Sequence, residues 1–312
     1  MKSSKLFSVI IPVYNSQSSL VELFEGIMQV FHSIGQPFEV IFVDDNSRDQ
    51  SWEVLSSLKK QYPQFITIVR LSRNFGQHNA TLCGFTFAKG GFMVTIDDDL
   101  QTPPTEIKKL IESRESENCD LVYGVSHRKK HSVIRNAGSR SLKTSARVLH
   151  KSPGEGSSFR LVSGDLVAKI LHHHQNFIFL DEIFYWYTDD IGFVEVEHLP
   201  RKYDQSGYSF GKLFRLVANL ILYYTMVPLK VLVYGGLIIS LITFIYGLFF
   251  IFKKLVFDVP LGFTSLIVTI LFSTSIILFS LGVLGEYLSR IYQLQNRKPP
   301  YSIRKVVERE DE

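Results

Sequence analysis

Two uninterrupted apolar stretches, 231–252 and 263–284, constrain this chain before any other feature does. Each is about 22 residues long, roughly 33 Å as a helix, enough to cross a hydrocarbon layer. A helix buried in a soluble core could explain one such stretch; two in succession argue for a membrane. Arg201, Lys202, Lys212, Arg215 and Lys230 precede them, and Arg290, Arg297, Lys298, Arg304 and Lys305 follow. Against these stand Lys253 and Lys254 in the loop between. Basic residues stay on the cytoplasmic side, so both termini are expected there, on the inner (plasma) membrane. Residues 211–226 mix Leu213, Phe214, Leu216, Val217, Leu220 and Ile221 with Lys212 and Arg215, the pattern of an interfacial amphipathic helix. The expected plan is a soluble domain over 1–206 and an interfacial helix over 207–228. Two transmembrane helices follow in 229–287 (about 231–252 and 263–285), then a cytoplasmic tail over 288–312, its charged end from Val306 frayed. Gly235-Gly236 and the Gly282/Gly285 pair allow close helix packing, and with it a homo-oligomer.

The soluble part alternates buried strands with amphipathic helices. Apolar, β-branched runs at 7–13, 38–43, 66–71 and 92–96 read as strands. Between the first two, Ser18 is placed to cap a helix whose Leu20, Leu23, Phe24, Ile27, Val30 and Phe31 recur at helical spacing. Helices around Trp52, Leu55 and Leu58, and over 80–88, complete a run of four strands and three helices, which means an α/β fold with a parallel sheet and right-handed crossovers. Asp44 and Asp45 end the second strand, and Asp97, Asp98 and Asp99 the fourth. Carboxylates are too costly to bury unpaired, so they belong at the strand ends, where open α/β sheets bind ligands. One cluster alone could be a solvated turn; two after two buried strands point to one crevice. Oxygen ligands of this kind suit a hard divalent cation, Mg²⁺ or Mn²⁺, bridging to substrate phosphates.

Further along, a helix over 105–117 and a strand over 121–124 lead into a basic segment containing Arg128, Arg135 and Arg140. That segment reads either as a solvated helix face or as an anion site near the membrane. His172-His173-His174 lacks zinc-ligand spacing and reads as a polar helix end after 164–172. An aromatic helix over 177–187, a half-buried strand over 192–198 and a polar loop over 201–208 follow. The net charge of +4 and the lack of an aromatic-basic motif argue against a nucleic-acid partner. Cys83 and Cys119 have no metal-ligand spacing and read as buried thiols of a reducing compartment. No secretory leader is read in 7–13, which is short and interrupted by Pro12.

Four pieces, Val9-Ile10-Ile11-Pro12-Val13-Tyr14-Asn15, Phe42-Val43-Asp44-Asp45-Asn46-Ser47-Arg48-Asp49, Arg70-Leu71-Ser72-Arg73-Asn74-Phe75-Gly76 and Ile96-Asp97-Asp98-Asp99-Leu100-Gln101-Thr102-Pro103-Pro104, occur in this order. The chain thereby resembles the inverting family 2 glycosyltransferases that load a sugar onto a polyprenyl phosphate, such as dolichyl-phosphate mannose synthases and bacterial undecaprenyl-phosphate glucosyltransferases. The resemblance implies a GT-A (Rossmann-like) domain followed by a two-helix transmembrane region. By position it implies that Pro12 and Tyr14 line the nucleotide pocket, that Asp44 bonds the base, and that Asp97, Asp99 and Gln101 hold the metal and the donor diphosphate. Arg201 and Ser206 match the Arg and Ser of a late loop that closes over the phosphates, and Arg128, Arg135, Arg140 and Ser206 are the candidates for the acceptor phosphate. Asp98 stands where the family has a small residue and is expected to point elsewhere and tolerate substitution. Ser16, Asp204 and Ser158 replace a Glu, a Gly and an Asp of the family pattern. An acceptor phosphate is already ionised at neutral pH, so a missing general base at Ser158 need not stop the chemistry.

The expected activity is transfer of a sugar from a nucleotide diphosphate sugar, with UDP-hexose expected by analogy, to polyprenyl (undecaprenyl) phosphate on the cytoplasmic face, in cell-envelope glycan modification. A processive polysaccharide synthase of the same fold usually has more spans and a Gln-X-X-Arg-Trp motif. A non-catalytic scaffold would tolerate loss of Asp97 and Asp99.

Overall fold

The computed structural model describes residues 6–126, 157–172, 179–200, scattered helical positions between 234 and 256, and 262–295 and 299–310. Contacts divide the chain into two units, one of Met1–Gly207 with Pro299–Glu312 and one of Tyr208–Lys298.

The first unit is built on an eight-stranded sheet. Its strands are β1 (Phe7–Val13), β2 (Phe38–Asp44), β3 (Ile66–Leu71), β4 (Phe92–Thr95), β5 (Leu121–Val125), β6 (Arg160–Ser163), β7 (Ile191–Glu195) and β8 (Ile303–Val307). Their spatial order is β7-β5-β6-β4-β1-β2-β3-β8. Strands β4, β1, β2 and β3 run parallel, as do β5 and β7, while β6 is antiparallel to both of its neighbours. Every residue of β1 and β2 is buried, as expected of central parallel strands covered on both faces. Helix α1 (Leu20–Ile34) lays Leu20, Leu23, Phe24, Ile27, Val30 and Phe31 on the sheet, the set its periodicity predicts. Helices α2 (Ser51–Gln61), α3 (Gln77–Phe85), α4 (Ile107–Glu117), α5 (Gly164–Leu171) and α6 (Leu180–Tyr187) complete the layers.

Chain order reverses at β1: β2 and β3 extend to one side and β4 to the other. A crevice outside the carboxyl ends of β1 and β4 follows from that reversal, the usual ligand position of an open α/β sheet. Pro12 lies past the last β1–β4 pair, Ile10↔Thr95, so its missing N–H interrupts no ladder on that side. Helix α3 packs close to the sheet at Gly84, where an added Cβ would stand 2.4 Å from a methyl of Ile10. That close approach sets the height of α3 and brings its first residue, Gln77, to the crevice.

Two sequence expectations need correction here. The residue preceding α1 is Ser19, not Ser18, and its hydroxyl donates to the main-chain oxygens of Ser16 and Asp98 instead of capping the helix. The expected frayed tail forms an edge strand: β8 pairs antiparallel with β3, and Arg309 beyond it meets the buried Glu39 carboxylate at 3.0 Å. The cause is the edge of β3, whose backbone groups otherwise face water unpaired. Lys305 and Arg70 both sit over the Trp52 ring, at 5.8 and 5.4 Å from its centre.

In the second unit, α7 (Phe263–Gln295) is 33 residues long. Among the described residues it holds the one helix long and apolar enough to cross a membrane, over Phe272–Ser289 with a mean hydropathy of 1.4. Its Phe272, Phe279, Leu281 and Leu288 are all more than half exposed. The interfacial helix expected over 211–226 lies outside the described residues, as does much of the first expected span.

Candidate functional site

The crevice is built from three loops that leave the sheet at its carboxyl edge, after β1, β2 and β4. In two of them the second residue past the strand is an asparagine in the left-handed region, Asn15 (φ 56°) and Asn46 (φ 59°). Asparagine tolerates this conformation because its short side chain bonds locally. The third carries Leu100 at φ 58°, a conformation costly for leucine that marks a stretch held by its surroundings.

Asp97 is the second residue past β4 and is partly exposed. One oxygen accepts from the Gln77 amide at 2.5 Å, and the other from the Ser158 hydroxyl at 2.6 Å. Ser158 is itself fixed, since its carbonyl accepts from the Thr95 hydroxyl at 2.5 Å. Asp99, also partly exposed, accepts from the Gln101 N–H at 3.1 Å, and the Gln101 carbonyl accepts from Leu199 N–H at 2.7 Å. The structure therefore brings Asp97, Asp99 and Gln101 onto one turn at the crevice.

Asp44 and Asp45 diverge, as successive residues leaving a strand do. Asp44 is fully buried, accepts from Ser47 N–H at 2.8 Å, and lies 3.1 Å from Arg70 Nε as an ion contact. Burial raises its pKa, opposed by the Ser47 bonds and by the Arg70 charge. Asp45 turns to the start of α3 and accepts from Phe75 N–H at 2.7 Å and Gly76 N–H at 2.8 Å. Burial outweighs those bonds and pushes it from 3.8 up to about 6. The folded chain then binds this proton more tightly than the unfolded chain does. The corresponding stability is present below pH 3.8 and is lost as pH rises to about 6. Replacing Asp45 with Asn should flatten the decline in Tm between pH 4 and 6 measured on the full chain in detergent; an unchanged slope would assign it elsewhere.

Tyr14 stands at the rim with 43% of its surface exposed, and Pro12 is buried behind it. Arg128, Arg135, Arg140, Arg201 and Ser206 lie outside the described residues. Asp98 points elsewhere, as expected, and finds partners on the loop after β1. It is not a spare surface carboxylate: it accepts from Tyr14 N–H at 3.0 Å and from the Ser16 hydroxyl at 2.5 Å. Burial pushes it from 3.8 up to about 7.

Behind the crevice lies a buried polar group that sequence reading missed. Arg160 and Asp181 form an ion pair, Asp181 also accepts from the Tyr123 hydroxyl at 2.9 Å, and Arg160 Nε donates to Thr95 Oγ1 at 3.2 Å. His78, second residue of α3, packs on the Phe179 ring at 4.7 Å between centres. Burial lowers its pKa to about 4, so the ring is neutral near pH 7. Gln77 and Ser158 were likewise missed as partners of Asp97. The available signals were Gly76 ahead of a helix and a hydroxyl in Ser158-Phe159-Arg160 where a carboxylate is usual.

A profile described as "Glycosyl transferase family 2" matches residues 8–168. The chain is 34% identical over 308 residues to the undecaprenyl-phosphate 4-deoxy-4-formamido-L-arabinose transferase of Yersinia enterocolitica, covering 97% of this chain and 94% of that relative. It is 33% identical over 311 residues to the protein of the same name from Pectobacterium atrosepticum, again covering 97% and 94%. Among solved structures, mannosyl-3-phosphoglycerate synthase from Rubrobacter xylanophilus aligns with a TM-score of 0.51 at 13% identity, over 70% of this chain and 74% of that one. Glucosyl-3-phosphoglycerate synthase from Mycobacterium tuberculosis, solved with Mn²⁺, UDP and phosphoglyceric acid, aligns with a TM-score of 0.50 at 14% identity, over 71% and 78%. At these identities the two structures speak for the GT-A fold alone.

Proposed function

The chain belongs to glycosyl transferase family 2 and is a glycosyltransferase of the polyprenyl-phosphate sugar transferase type, and from that premise we propose that it moves a sugar from a uridine diphosphate donor onto undecaprenyl phosphate at the cytoplasmic face of the membrane. The observation that carries this reading is the joining of the loops after β1, β2 and β4 where strand order reverses, through Tyr14 N–H to Asp98 and Asn15 N–H to Ser47, with Asp97 and Asp99 flanking Asp98 on the same turn. Near-full-length similarity to relatives named as undecaprenyl-phosphate transferases supports the acceptor. Their donor sugar is named as a formamido-arabinose, so a substituted pentose stands beside a hexose as a candidate here.

The donor set fits a divalent cation. Among the described residues no three His, Cys, Asp or Glu side chains gather into a cage. None is needed, because a hard cation of this kind commonly uses one or two carboxylates and takes its other oxygens from substrate phosphates and water. Asp97 and Asp99 would hold it, with Gln101 on the same turn. Bound there, Mg²⁺ or Mn²⁺ supplies positive charge for the departing diphosphate.

The remaining work falls to the chain. Tyr14 and Pro12 are assigned to the walls of the nucleotide pocket and Asp44 to the base, although the structure buries Asp44 fully between Ser47 and Arg70, so a base reaches it only if that cover shifts. Gln77 and Ser158 orient Asp97. An ionised oxygen of the acceptor phosphate attacks the anomeric carbon, the bond from that carbon to the diphosphate oxygen breaks, and the nucleoside diphosphate leaves with the electron pair. No proton has to be removed from the acceptor, which agrees with a hydroxyl at Ser158. Arg201 is assigned to the leaving phosphates, and Arg128, Arg135, Arg140 and Ser206 to the acceptor phosphate. The reading includes two membrane helices, of which α7 is one, and cytoplasmic termini. Incubating membranes that contain the protein with undecaprenyl phosphate, divalent metal and a panel of labelled nucleotide sugars should yield a sugar-lipid. No product from any donor would sink the reading.

A further inference from the structure

We propose that Asp98 is a positioning residue that locks the donor-binding loop after β1 to the diphosphate-binding turn after β4. This rests on the donor site proposed above and goes beyond it in naming what holds that site in shape. The loop after β1 is tied on its β2 side by Asn15 N–H to Ser47 Oγ (3.0 Å), Ser16 N–H to Ser51 Oγ (2.9 Å) and Arg48 N–H to Asn15 Oδ1 (2.8 Å). These bonds reach the loop after β2 and the first residue of α2. Three bonds from residues 14–19 reach the β4 turn at Asp98: Tyr14 N–H and the Ser16 hydroxyl to its carboxylate, and the Ser19 hydroxyl to its carbonyl at 2.5 Å. Asp98 thus bridges the two strands between which chain order reverses.

Three facts make the link consequential. Tyr14 is exposed, so packing does not set its direction and the fixed main chain must. Asn15 sits in the left-handed region and needs its neighbours held. Asp98 lies between Asp97 and Asp99, so a nucleotide settling against Tyr14 is coupled through one residue to the carboxylates that face its diphosphate. A carboxylate suits the task because one oxygen can accept from an amide and a hydroxyl at once.

The test uses the full chain in detergent, with Mn²⁺ and a panel of nucleoside diphosphates as binding probes and donor turnover as the second readout. Asp98→Ala should raise the Kd for the preferred diphosphate and the donor KM about tenfold, with kcat within about threefold of the parent; Ser16→Ala should raise both about threefold. Each tenfold step corresponds to about 1.4 kcal/mol. Exchanging the pair, Ser16→Asp with Asp98→Ser, puts a carboxylate back across the same gap and should recover most of the affinity lost in Asp98→Ser alone. A purely structural role would lower Tm without this split or this rescue. Unchanged Kd and KM in both alanine variants, or a loss confined to kcat, overturns the inference. Should Asp98→Ala fail to fold, Ser16→Ala decides by the same criteria. If the unaltered chain binds no nucleoside diphosphate, the functional reading fails and this inference with it; if it binds and the variants match it, this inference alone fails.

Discussion

Replacing Asp97 with asparagine is expected to cut turnover by about 10²–10³-fold, the usual scale for removing one group that stabilises a leaving charge, while leaving the fold intact. The structure explains why the two effects separate. Asp97 is partly exposed at the crevice, so the asparagine amide meets no desolvation penalty there. Its carbonyl can still accept from Gln77, and the Ser158 hydroxyl can rotate to accept from the new amide, so both contacts keep a partner. What disappears is one negative charge on the turn where the metal and diphosphate are proposed to bind. Turnover at saturating donor, Tm and a Mn²⁺ titration should therefore show lost activity, little change in melting, and weaker metal dependence. A variant turning over at the parent rate would return Asp97 to the status of a solvated turn. Function retained in cells without turnover would favour a scaffold.

What could be read from the sequence follows from where each signal resides. The strands β1 to β4 are mainly apolar runs, Glu39 and Arg70 apart, because central parallel strands are buried on both faces, and the carboxylate clusters stand out because they end such runs. The face of α1 follows from periodicity alone. By contrast, β8 is written Ile303-Arg304-Lys305-Val306-Val307, and its charges belong to an edge strand with one side in water. Nothing local announces that β3, far earlier in the chain, requires it. The role of Asp98 was hidden for a similar reason. Its partners Tyr14 and Ser16 lie 84 and 82 residues away, and three adjacent Asp look alike until the loops place them. Ser158 read as a loss because the pattern there expects a carboxylate; the fold shows its hydroxyl given to Asp97.

Replacing Asp181 with alanine should cost the catalytic domain about 3–5 kcal/mol, the range found when one partner of a buried ion pair is removed. Only 3% of the Arg160 side chain is exposed, so its charge cannot turn to water. Without Asp181 it keeps the Thr95 hydroxyl and the faces of Tyr123 and Phe184, at 5.9 and 5.1 Å, and those rings offset a fraction of a desolvated cation's cost. The Tyr123 hydroxyl also loses its acceptor. At roughly 2–4 °C per kcal/mol for a domain of this size, Tm should drop by about 10 °C. Asp181→Asn should lose less, since its carbonyl still accepts. The double variant Arg160→Met with Asp181→Leu, which leaves no stranded charge, should regain much of the loss. The effect reaches the site through Thr95, which bonds both Arg160 and the carbonyl of Ser158, so loosening it frees the hydroxyl that orients Asp97. Turnover of Asp181→Ala measured well below its melting temperature should therefore fall by more than its unfolded fraction explains. A melting temperature within 2 °C of the parent would mean that water reaches Arg160, and the buried pair would lose its place as the support beneath the site.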